Sequence, residues 1–236
     1  MTSGAGAAPP ERAVTVFDDA LPGVERYADL LASVGVERGL LGPREVPRLW
    51  ERHLMNCAVV EELVPHGATV VDVGSGAGLP GVILGITRPD LSVVLLEPLL
   101  RRTIFLRECV EQLDLPNVTV WRGRAEEVAS DLRADIVTAR AVAPLSKLVG
   151  WALPLLRTGG SLLALKGEQA ETELENSRAY LSRQRPNTAE VMRVGEGKVD
   201  PATTVVRVTV TSEGAPTTTS KSRRAPGGRK KRGRKR

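Results

Sequence analysis

Hydrophobic and polar positions change their spacing near residue 64 of the chain. Before this point, apolar residues recur at helical spacing over 24–34 and 46–63, and no run alternates as a strand would. After it, short apolar runs alternate with segments of helical spacing, which is the pattern of a parallel sheet covered by helices. We therefore predict a small helical extension over 13–64, followed by an α/β domain over 65–213.

The α/β part contains seven predicted strands separated by helices and turns. The strands are predicted at 68–72, 92–96, 118–121, 135–139, 161–165, 189–194 and 203–211. The helices are predicted at 81–86, 99–113, 145–156 and 169–181, with a turn at 157–160 before the fifth strand. The last two strands, joined by the loop 195–201, are predicted to pair as in a hairpin, so the sheet ends in an antiparallel return.

The first predicted strand leads into a turn that is rich in glycine. The strand ends in Asp72, and the glycines that follow are Gly74, Gly76, Gly78 and Gly81. Glycine lets the backbone turn sharply, expose its N–H groups and approach a ligand closely. A helix that opens near Pro80 would also direct its N-terminal dipole at that ligand. We therefore predict that a nucleoside cofactor binds at this turn.

The spacing of these glycines fits two classes of cofactor. Residues 76–81 match the G-x-G-x-x-G fingerprint of dinucleotide sites, whereas the longer pattern over 72–78 fits the S-adenosylmethionine (SAM) loop of class I methyltransferases better. Glu97 ends the second strand 19 residues after Gly78, where a carboxylate accepts the hydroxyls of an adenosine ribose in either class. Seven strands with an antiparallel return favour a methyltransferase sheet over a six-stranded dehydrogenase sheet.

Further candidate residues follow the carboxyl ends of the other strands, where ligands bind in sheets of this kind. Ala125 and Glu126 come after the third strand, where a methyltransferase borders the adenine. Arg140 follows the fourth strand, and a charge that ends an apolar strand is seldom there for packing. Lys166 ends the fifth strand. Arg140, Lys166 and His53 of the extension are the candidate catalytic groups.

Charge is distributed unevenly along the 236 residues. The net charge is +5, but residues 221–236 carry ten basic residues and no acidic one, so the rest of the chain has 23 basic against 28 acidic residues. Segment 1–12 is predicted to be disordered because it is rich in Gly, Ala and Pro, and segment 214–236 because it is poor in apolar residues. The basic tail over 221–236 is predicted to bind RNA through counterion release, although a solubilising tail or a nuclear address has the same charge pattern.

The cysteines, histidines and apolar runs exclude several other classes of protein. Cys57 and Cys109 stand far apart without a C-x-x-C context, so we expect buried reduced thiols. The spacing of these cysteines and of His53 and His66 does not match that of a zinc site, so no metal is predicted. Because neither a signal peptide nor an apolar run approaching a membrane span is visible, we expect a cytoplasmic protein, and a monomer.

Five stretches together resemble the bacterial 16S rRNA guanine-N7 methyltransferase family (RsmG), also called glucose-inhibited division protein B. They are Asp-Val-Gly-Ser-Gly-Ala-Gly-Leu-Pro-Gly at 72–81, Glu-Pro-Leu-Leu-Arg-Arg at 97–102, Arg-Ala-Glu-Glu at 124–127, Ala-Arg-Ala at 139–141 and Leu-Lys-Gly at 165–167. The resemblance covers about 20–212 and implies a class I SAM-dependent methyltransferase with a Rossmann-like sheet, acting on 16S rRNA of the small ribosomal subunit. It implies SAM contacts at Gly74, Leu79, Ala125, Glu126 and Arg140.

One motif of the chain departs from the family pattern. The family often reads His-hydrophobic-x-Asp-Ser in the helix before the first strand, and this chain has His53-Leu-Met-Asn56-Cys57. A role that the family assigns to the carboxylate of that motif therefore cannot be transferred to this chain. The basic tail lies outside the core family pattern as well, so the resemblance says nothing about its role.

The chemistry at the fourth strand agrees with a guanine-N7 acceptor. An exocyclic amine methyltransferase usually has Asn/Asp-Pro-Pro-aromatic there, and a pyrimidine-C5 enzyme needs a nucleophilic cysteine near a Pro-Cys pair; both motifs are missing. Guanine N7 has a lone pair in the ring plane and needs no obligatory base, so alignment and electrostatics can suffice. We place Arg140 on the SAM carboxylate or on guanine O6.

The sequence leaves other functions open. The chain could methylate another RNA or a small molecule, and a nicotinamide-dependent oxidoreductase remains a less favoured reading because no second catalytic domain is visible. A non-enzymatic RNA-binding protein that retains the fold and acts through its tail is a further alternative.

Overall fold

The structure is a computed structural model that describes residues 8–129, 131–184 and 187–211. The predicted disordered tail over 214–236 lies outside the described residues, as do the first seven residues of the predicted disordered N-terminus. The prediction of disorder is wrong for the end of that segment, because Glu11 and Arg12 belong to helix α1 (Glu11–Phe17). This helix is ordered by burial of Ala13 and Phe17 on one face.

Seven strands form one mixed sheet within the described residues. They are β1 (Thr69–Val73), β2 (Ser92–Leu96), β3 (Val118–Trp121), β4 (Ala134–Arg140), β5 (Leu156–Lys166), β6 (Asn187–Val194) and β7 (Thr203–Val210). Their order is β3-β2-β1-β4-β5-β7-β6, with β1 to β5 parallel and β7 antiparallel to both of its neighbours. The predicted α/β class, with its late antiparallel return, is confirmed.

Helices cover both faces of the sheet. Besides α1 they are α2 (Leu21–Leu30), α3 (Asn56–Ala58), α4 (Gly81–Thr87), α5 (Leu100–Gln112), α6 (Ala125–Val128), α7 (Leu145–Ala152) and α8 (Ala170–Leu181). Neighbouring residues of a strand point to opposite faces of the sheet. Val70 belongs to the hydrophobic cluster under the extension, α4 and α5, whereas Val71 belongs to the hydrophobic cluster under α6, α7 and α8. The two hydrophobic clusters hold the strand ends in fixed positions.

The predicted extension is helical but irregular. Single-turn 3₁₀ segments at Asp18–Ala20, Pro43–Arg48 and Val59–Leu63 and π-helical turns at Leu31–Gly35 and Leu49–Met55 interrupt or extend its α-helices. The extension also contacts the glycine turn, because the buried Tyr27 hydroxyl donates to the Ala77 carbonyl oxygen at 2.6 Å. It therefore covers the carboxyl edge of the sheet at the point where a ligand is predicted.

Two element boundaries of the α/β part differ from the sequence prediction by more than two residues. The helix predicted over 145–156 ends as α7 at Ala152, and a 3₁₀ turn follows around Pro154, which has no N–H to continue the α-helix. The turn predicted over 157–160 lies inside β5, where the pairing with β4 shifts register and Gly159 adopts a φ of +81°. The sequence of this irregular part of β5 therefore resembles that of a turn.

A candidate cofactor site at the strand ends

A cavity of about 620 Å³ lies at the carboxyl ends of β1 to β4, under the extension. Its wall includes eight of the predicted site residues: His53, Gly74, Gly76, Leu79, Glu97, Ala125, Glu126 and Arg140. Gly78 and Lys166 do not line it. The wall also contains residues that were not predicted from the sequence, among them Leu40, Leu41, Val142 and Trp151. A cavity of this size accommodates a nucleoside-sized ligand.

The glycine turn is fixed by hydrogen bonds to its surroundings. The Gly74 N–H donates to the Leu96 carbonyl oxygen at 2.8 Å, and the Ser75 hydroxyl donates to the Asp72 carbonyl oxygen at 2.8 Å. Gly74 and Gly76 have φ values of +68° and +60°, which favour glycine. A Cβ on Gly76 would meet only the Gly74 carbonyl oxygen, at 3.7 Å, so the backbone is open to a ligand here.

Glu97 lies directly beside this turn. Its carboxylate is almost fully buried, and its oxygens accept hydrogen bonds from the Gly76 N–H at 3.0 Å and the Leu99 N–H at 2.9 Å. The Arg102 guanidinium stands 3.5 Å from Oε2. Each carboxylate oxygen has two acceptor directions, so the carboxylate is oriented and still able to accept from a ligand. This geometry fits the ribose of an adenosine.

Gly78 has a packing role that the motif does not reveal. A Cβ at this position would come within 2.5 Å of Val82 Cγ2 and 2.7 Å of the Tyr27 hydroxyl, and φ is +104°. The close approach of the extension and α4 therefore requires glycine here. The spacing of the motif predicts a ligand contact at Gly78, and the structure instead places this residue inside the protein.

The N-terminus of α4 also differs from the prediction. The Gly81 N–H donates to Asp72 Oδ2 at 3.2 Å, and neither Pro80 nor Gly81 lines the cavity. The positive end of this helix dipole therefore interacts with the Asp72 carboxylate, which is a group of the protein itself. Asp72 is completely buried and also accepts from the Thr138 hydroxyl at 2.9 Å. Burial raises the pKa of Asp72 to about 6.

The side of the cavity below β3 is formed by the start of α6. Ala125 is buried and Glu126 is exposed, and both line the cavity as predicted. The Arg124 N–H donates to Glu127 Oε2 at 3.1 Å, which caps the helix and fixes this segment. Trp151 of α7 closes the same wall, with the Lys147 ammonium 5.1 Å from its ring centroid. No local motif marks Trp151, because it reaches the site from a distant helix.

Arg140, at the end of β4, is held by the extension. Its Nη1 donates to Cys57 Sγ at 3.1 Å and to the His53 carbonyl oxygen at 3.5 Å. Its Nη2 donates to the Arg52 carbonyl oxygen at 3.3 Å and to His53 Nδ1. Both terminal nitrogens therefore serve the extension, and a ligand in the cavity meets the positive charge of the guanidinium. The next residue, Ala141, has a φ of +54° and turns the chain along the cavity wall.

His53 is linked on its other side to Glu45, a residue that the sequence analysis did not single out. The distance from His53 Nε2 to Glu45 Oε2 is 2.7 Å. Burial lowers the pKa of His53, and the charge of Arg140 lowers it further. Glu45 lies on the 3₁₀ segment Pro43–Arg48, and its spacing from His53 matches no regular helical contact, so the sequence pattern contains no signal for this pair.

Lys166 belongs to a different part of the molecule. Its ammonium contacts Glu173 Oε2 at 2.7 Å and donates to the Ala143 carbonyl oxygen at 3.0 Å. Glu173 also accepts from the Leu145 N–H at 3.1 Å. Lys166 thus joins β5 to the start of α7 and to α8, which is a structural role away from the cavity.

The described ranges lack two features that mark other functional classes. They contain no cluster of three His, Cys, Asp or Glu side chains placed to hold a metal ion. None of their helices combines the length and the apolar character needed to span a membrane. Both cysteines are buried thiols, and burial raises the pKa of each, that of Cys109 to about 12.

Comparison with known proteins gives one consistent family. The model of the family described as rRNA small subunit methyltransferase G matches residues 21–199. The ribosomal RNA small subunit methyltransferase G of Thermobifida fusca is 73% identical over 97% of this chain and 98% of the relative. The protein of the same name from Streptomyces avermitilis is 59% identical over 89% of each chain.

Solved structures agree with this comparison at the level of the fold. A ribosomal protein L11 methylase from Lactobacillus delbrueckii superposes with a TM-score of 0.52 at 15% identity, covering 68% of this chain and 80% of the other. A candidate SAM-dependent methyltransferase from Methanococcus maripaludis gives a TM-score of 0.56 at 12% identity, covering 80% and 94%. The sheet described above is the class I methyltransferase fold.

Proposed function

Because this chain belongs to the rRNA small subunit methyltransferase G family, we propose that it transfers a methyl group from SAM to N7 of a guanosine in the 16S rRNA of the small ribosomal subunit. The observation that carries the proposal is the cavity itself, in which a buried, oriented Glu97 faces an open glycine turn. SAM supplies an electrophilic methyl group bonded to a sulfonium. The residues present fit its nucleoside part.

The predicted contacts that line the cavity each have a place in this proposal, whereas Gly78 has none. Glu97 accepts the ribose hydroxyls, as acidic residues at this strand end do in nucleoside sites. Gly74, Gly76 and Leu79 line the cavity at the turn and bind the remainder of the cosubstrate. The segment that contains Ala125 and Glu126 borders the adenine. These roles follow from the positions of the residues on the cavity wall.

Arg140 has a narrower role than the sequence suggested. Both of its terminal nitrogens donate to the extension, so a two-pronged contact with guanine O6 would break existing hydrogen bonds. A positive charge beside N7 would also oppose the reaction, since the product ring is cationic. We therefore place the Arg140 charge on the side of the SAM carboxylate, which it attracts across the cavity.

The chemistry requires positioning more than proton transfer. Guanine N7 carries an in-plane lone pair, so the protein needs no base to generate the nucleophile. Its task is to hold N7 in line with the bond that breaks and to exclude water. In keeping with this, much of the cavity wall consists of backbone and apolar groups, and its charged members include the buried Glu97 and the half-buried Arg102 and Arg140.

The surface beside the cavity is suited to a nucleic-acid backbone. Exposed arginines lie on α5 and after β3, two segments that contribute residues to the cavity wall: Arg101, Arg107, Arg122 and Arg124. The apolar side chains of Leu99, Leu100 and Ile104 are exposed on the same helix start. Cations beside apolar contact area are typical of RNA surfaces. We propose that this surface and the basic tail over 221–236 contact rRNA.

Transfer of labelled methyl groups from SAM tests the proposal. The substrates are small ribosomal subunits and naked 16S rRNA from cells that lack this protein, and chemical cleavage at N7-methylguanine maps the product. We expect label at a single guanosine. If SAM binds and neither substrate is labelled, rRNA is not the acceptor. If NADH binds at the cavity and SAM does not, the oxidoreductase reading replaces this one.

A further inference from the structure

Glu45, His53 and Arg140 form a continuous chain of hydrogen bonds at the wall of the cavity. Glu45 Oε2 is 2.7 Å from His53 Nε2, and His53 Nδ1 contacts Arg140 Nη2. The three residues come from the 3₁₀ segment Pro43–Arg48, the π-helical turn Leu49–Met55 and the end of β4. The side chain of His53 is 13% exposed, so the imidazole lies largely out of water, whereas Glu45 is only half-buried.

The partners of His53 determine its protonation and tautomer. A guanidinium has only donors, so the contact with Arg140 requires a lone pair on Nδ1. The ring proton must then be on Nε2, where it is donated to the Glu45 carboxylate. Both ring nitrogens are satisfied only when the imidazole is neutral and in this tautomer.

Building on the proposed function, we propose that His53 is a positioning residue for methyl transfer: its neutral imidazole couples Glu45 to Arg140 and fixes the guanidinium at the cavity wall. The two backbone carbonyls that Arg140 contacts, those of Arg52 and His53, lie on the same turn as the imidazole. His53 thus orients the guanidinium together with Cys57 and the Arg52 carbonyl oxygen. It acts through Arg140 and does not transfer a proton to the substrate.

Protonation of His53 would break this arrangement. Nδ1 would become a donor facing the donors of Arg140, and two cations would be in contact. The charged groups that face the imidazole are Glu45 on one side, itself paired with the Arg52 guanidinium at 3.4 Å, and Arg140 on the other. Burial and Arg140 lower the pKa of His53, whereas the hydrogen bond to Glu45 raises it, and the lowering effects prevail. The neutral form therefore persists below the ordinary titration range of histidine, and function is lost only as the pH falls further.

Two substitutions test the contacts of the two ring nitrogens of His53 separately. In His53→Asn the amide oxygen takes the position of Nδ1 and keeps an acceptor for Arg140, while the contact with Glu45 is lost. In His53→Gln the amide nitrogen takes the position of Nε2 and keeps a donor for Glu45, while the acceptor for Arg140 is lost. We expect kcat/KM of His53→Gln to be about tenfold below that of His53→Asn, because one hydrogen bond to a buried charge differs between them.

The pH profile supplies a second and independent readout. The parent protein should lose kcat as the pH falls through the lowered pKa of His53, and His53→Asn should lack this acid limb. His66→Asn is the matched control, because His66 is the other histidine of the chain, its side chain is 91% exposed and it lies near Asp90. The His66→Asn profile should coincide with that of the parent.

Binding of S-adenosylhomocysteine, measured by calorimetry across the same pH range, keeps this inference separate from the proposed function. If no protein transfers methyl to rRNA, the proposed function fails, and the weaker ligand binding of His53→Gln relative to His53→Asn still decides the role of His53. Equal activities and equal affinities of the two variants would overturn the inference. An acid limb that survives in His53→Asn would overturn it as well.

Discussion

The Gly76 N–H donates to Glu97 Oε2 across 3.0 Å, which ties the glycine turn after β1 to the residue that follows β2. The second oxygen of the same carboxylate is held by the Leu99 N–H. Two strands, a turn and the start of α5 thus converge on one buried side chain. The site is organised before any ligand arrives, which lowers the entropic cost of binding.

Glu97→Gln should weaken binding of S-adenosylhomocysteine. The glutamine amide replaces one acceptor oxygen with a donor, so it faces the N–H of Gly76 or Leu99 and loses the charge that strengthens a ribose contact. We expect affinity to fall by about tenfold or more. Glu175→Gln on the exposed face of α8 is the control. Calorimetry that finds equal affinities would remove Glu97 from the binding site.

Two glycines of one turn should respond differently to alanine. Gly78→Ala places a methyl group 2.5 Å from Val82 Cγ2 and should lower the free energy of unfolding by roughly 3 kcal/mol. Gly76→Ala meets no close neighbour, so its main effect should be weaker binding of the cosubstrate.

Gly39→Ala calibrates this comparison, because Gly39 has a φ of +67° with nothing within 4 Å and reports the backbone cost alone. That cost is on the order of 1 kcal/mol. Urea unfolding and ligand binding measure the two effects. If Gly78→Ala were no less stable than Gly39→Ala, the packing role of Gly78 would be wrong.

Arg140→Lys should reduce both stability and turnover despite retaining the charge. Lysine cannot bridge Cys57 Sγ, the two carbonyl oxygens and His53 Nδ1 at once, so buried acceptors lose their donor. We expect turnover to fall by about tenfold or more, with Arg140→Ala at least as impaired. Single-turnover methyl transfer and thermal unfolding measure the effects. If Arg140→Ala matched the parent in ligand affinity and turnover, Arg140 would have no role in the site.

Asp72 should make the stability depend on pH in a direction opposite to that of most carboxylates. Its pKa in the folded protein is about 6, above the ordinary value of 3.8, so the folded state takes up the proton first as the pH falls. Relative to Asp72→Asn, the parent should gain about 1 kcal/mol of unfolding free energy between pH 7 and pH 5. Urea unfolding at both pH values measures the difference. A difference between the two proteins that does not change with pH would contradict this assignment.

Deletion of residues 215–236 should weaken binding to RNA and flatten its dependence on salt. The ten basic residues of the tail release counterions from phosphates, so their loss reduces the slope of log K against log salt concentration. Binding of S-adenosylhomocysteine should be unchanged. A tail of the same length with glutamine at the ten basic positions separates charge from length. An unchanged salt slope in both variants would exclude a role in RNA binding.

The elements that were predicted with correct bounds are those whose signal lies in the local sequence. The bounds of β2 and β3 match the predicted strands, because apolar runs between turn residues define both of them. Glu97 and the glycine turn were found for the same reason, since motif and contact lie in one βαβ unit. The sequence could not show that Gly78 faces Tyr27, because that contact joins residues far apart in the chain.

The remaining differences also arise from tertiary contacts. Lys166 stands at a strand end, as predicted, and its side chain turns to Glu173 of α8. Glu45 reaches His53 through an irregular segment whose path no periodicity reports. The candidate site was therefore predicted mainly at the strand ends and their loops. The prediction missed Leu40, Leu41 and Glu45 of the extension and Trp151 of α7.

Strand β7 is the last of the described strands and yet lies inside the sheet, between β5 and β6. During synthesis, β6 emerges before the strand that must separate it from β5. Until Thr203–Val210 has left the ribosome, β5 has an open edge and β6 has no partner in the sheet. Completion of this fold is therefore delayed until β7 has emerged, and a chain that stalls earlier presents unpaired strands to chaperones and proteases.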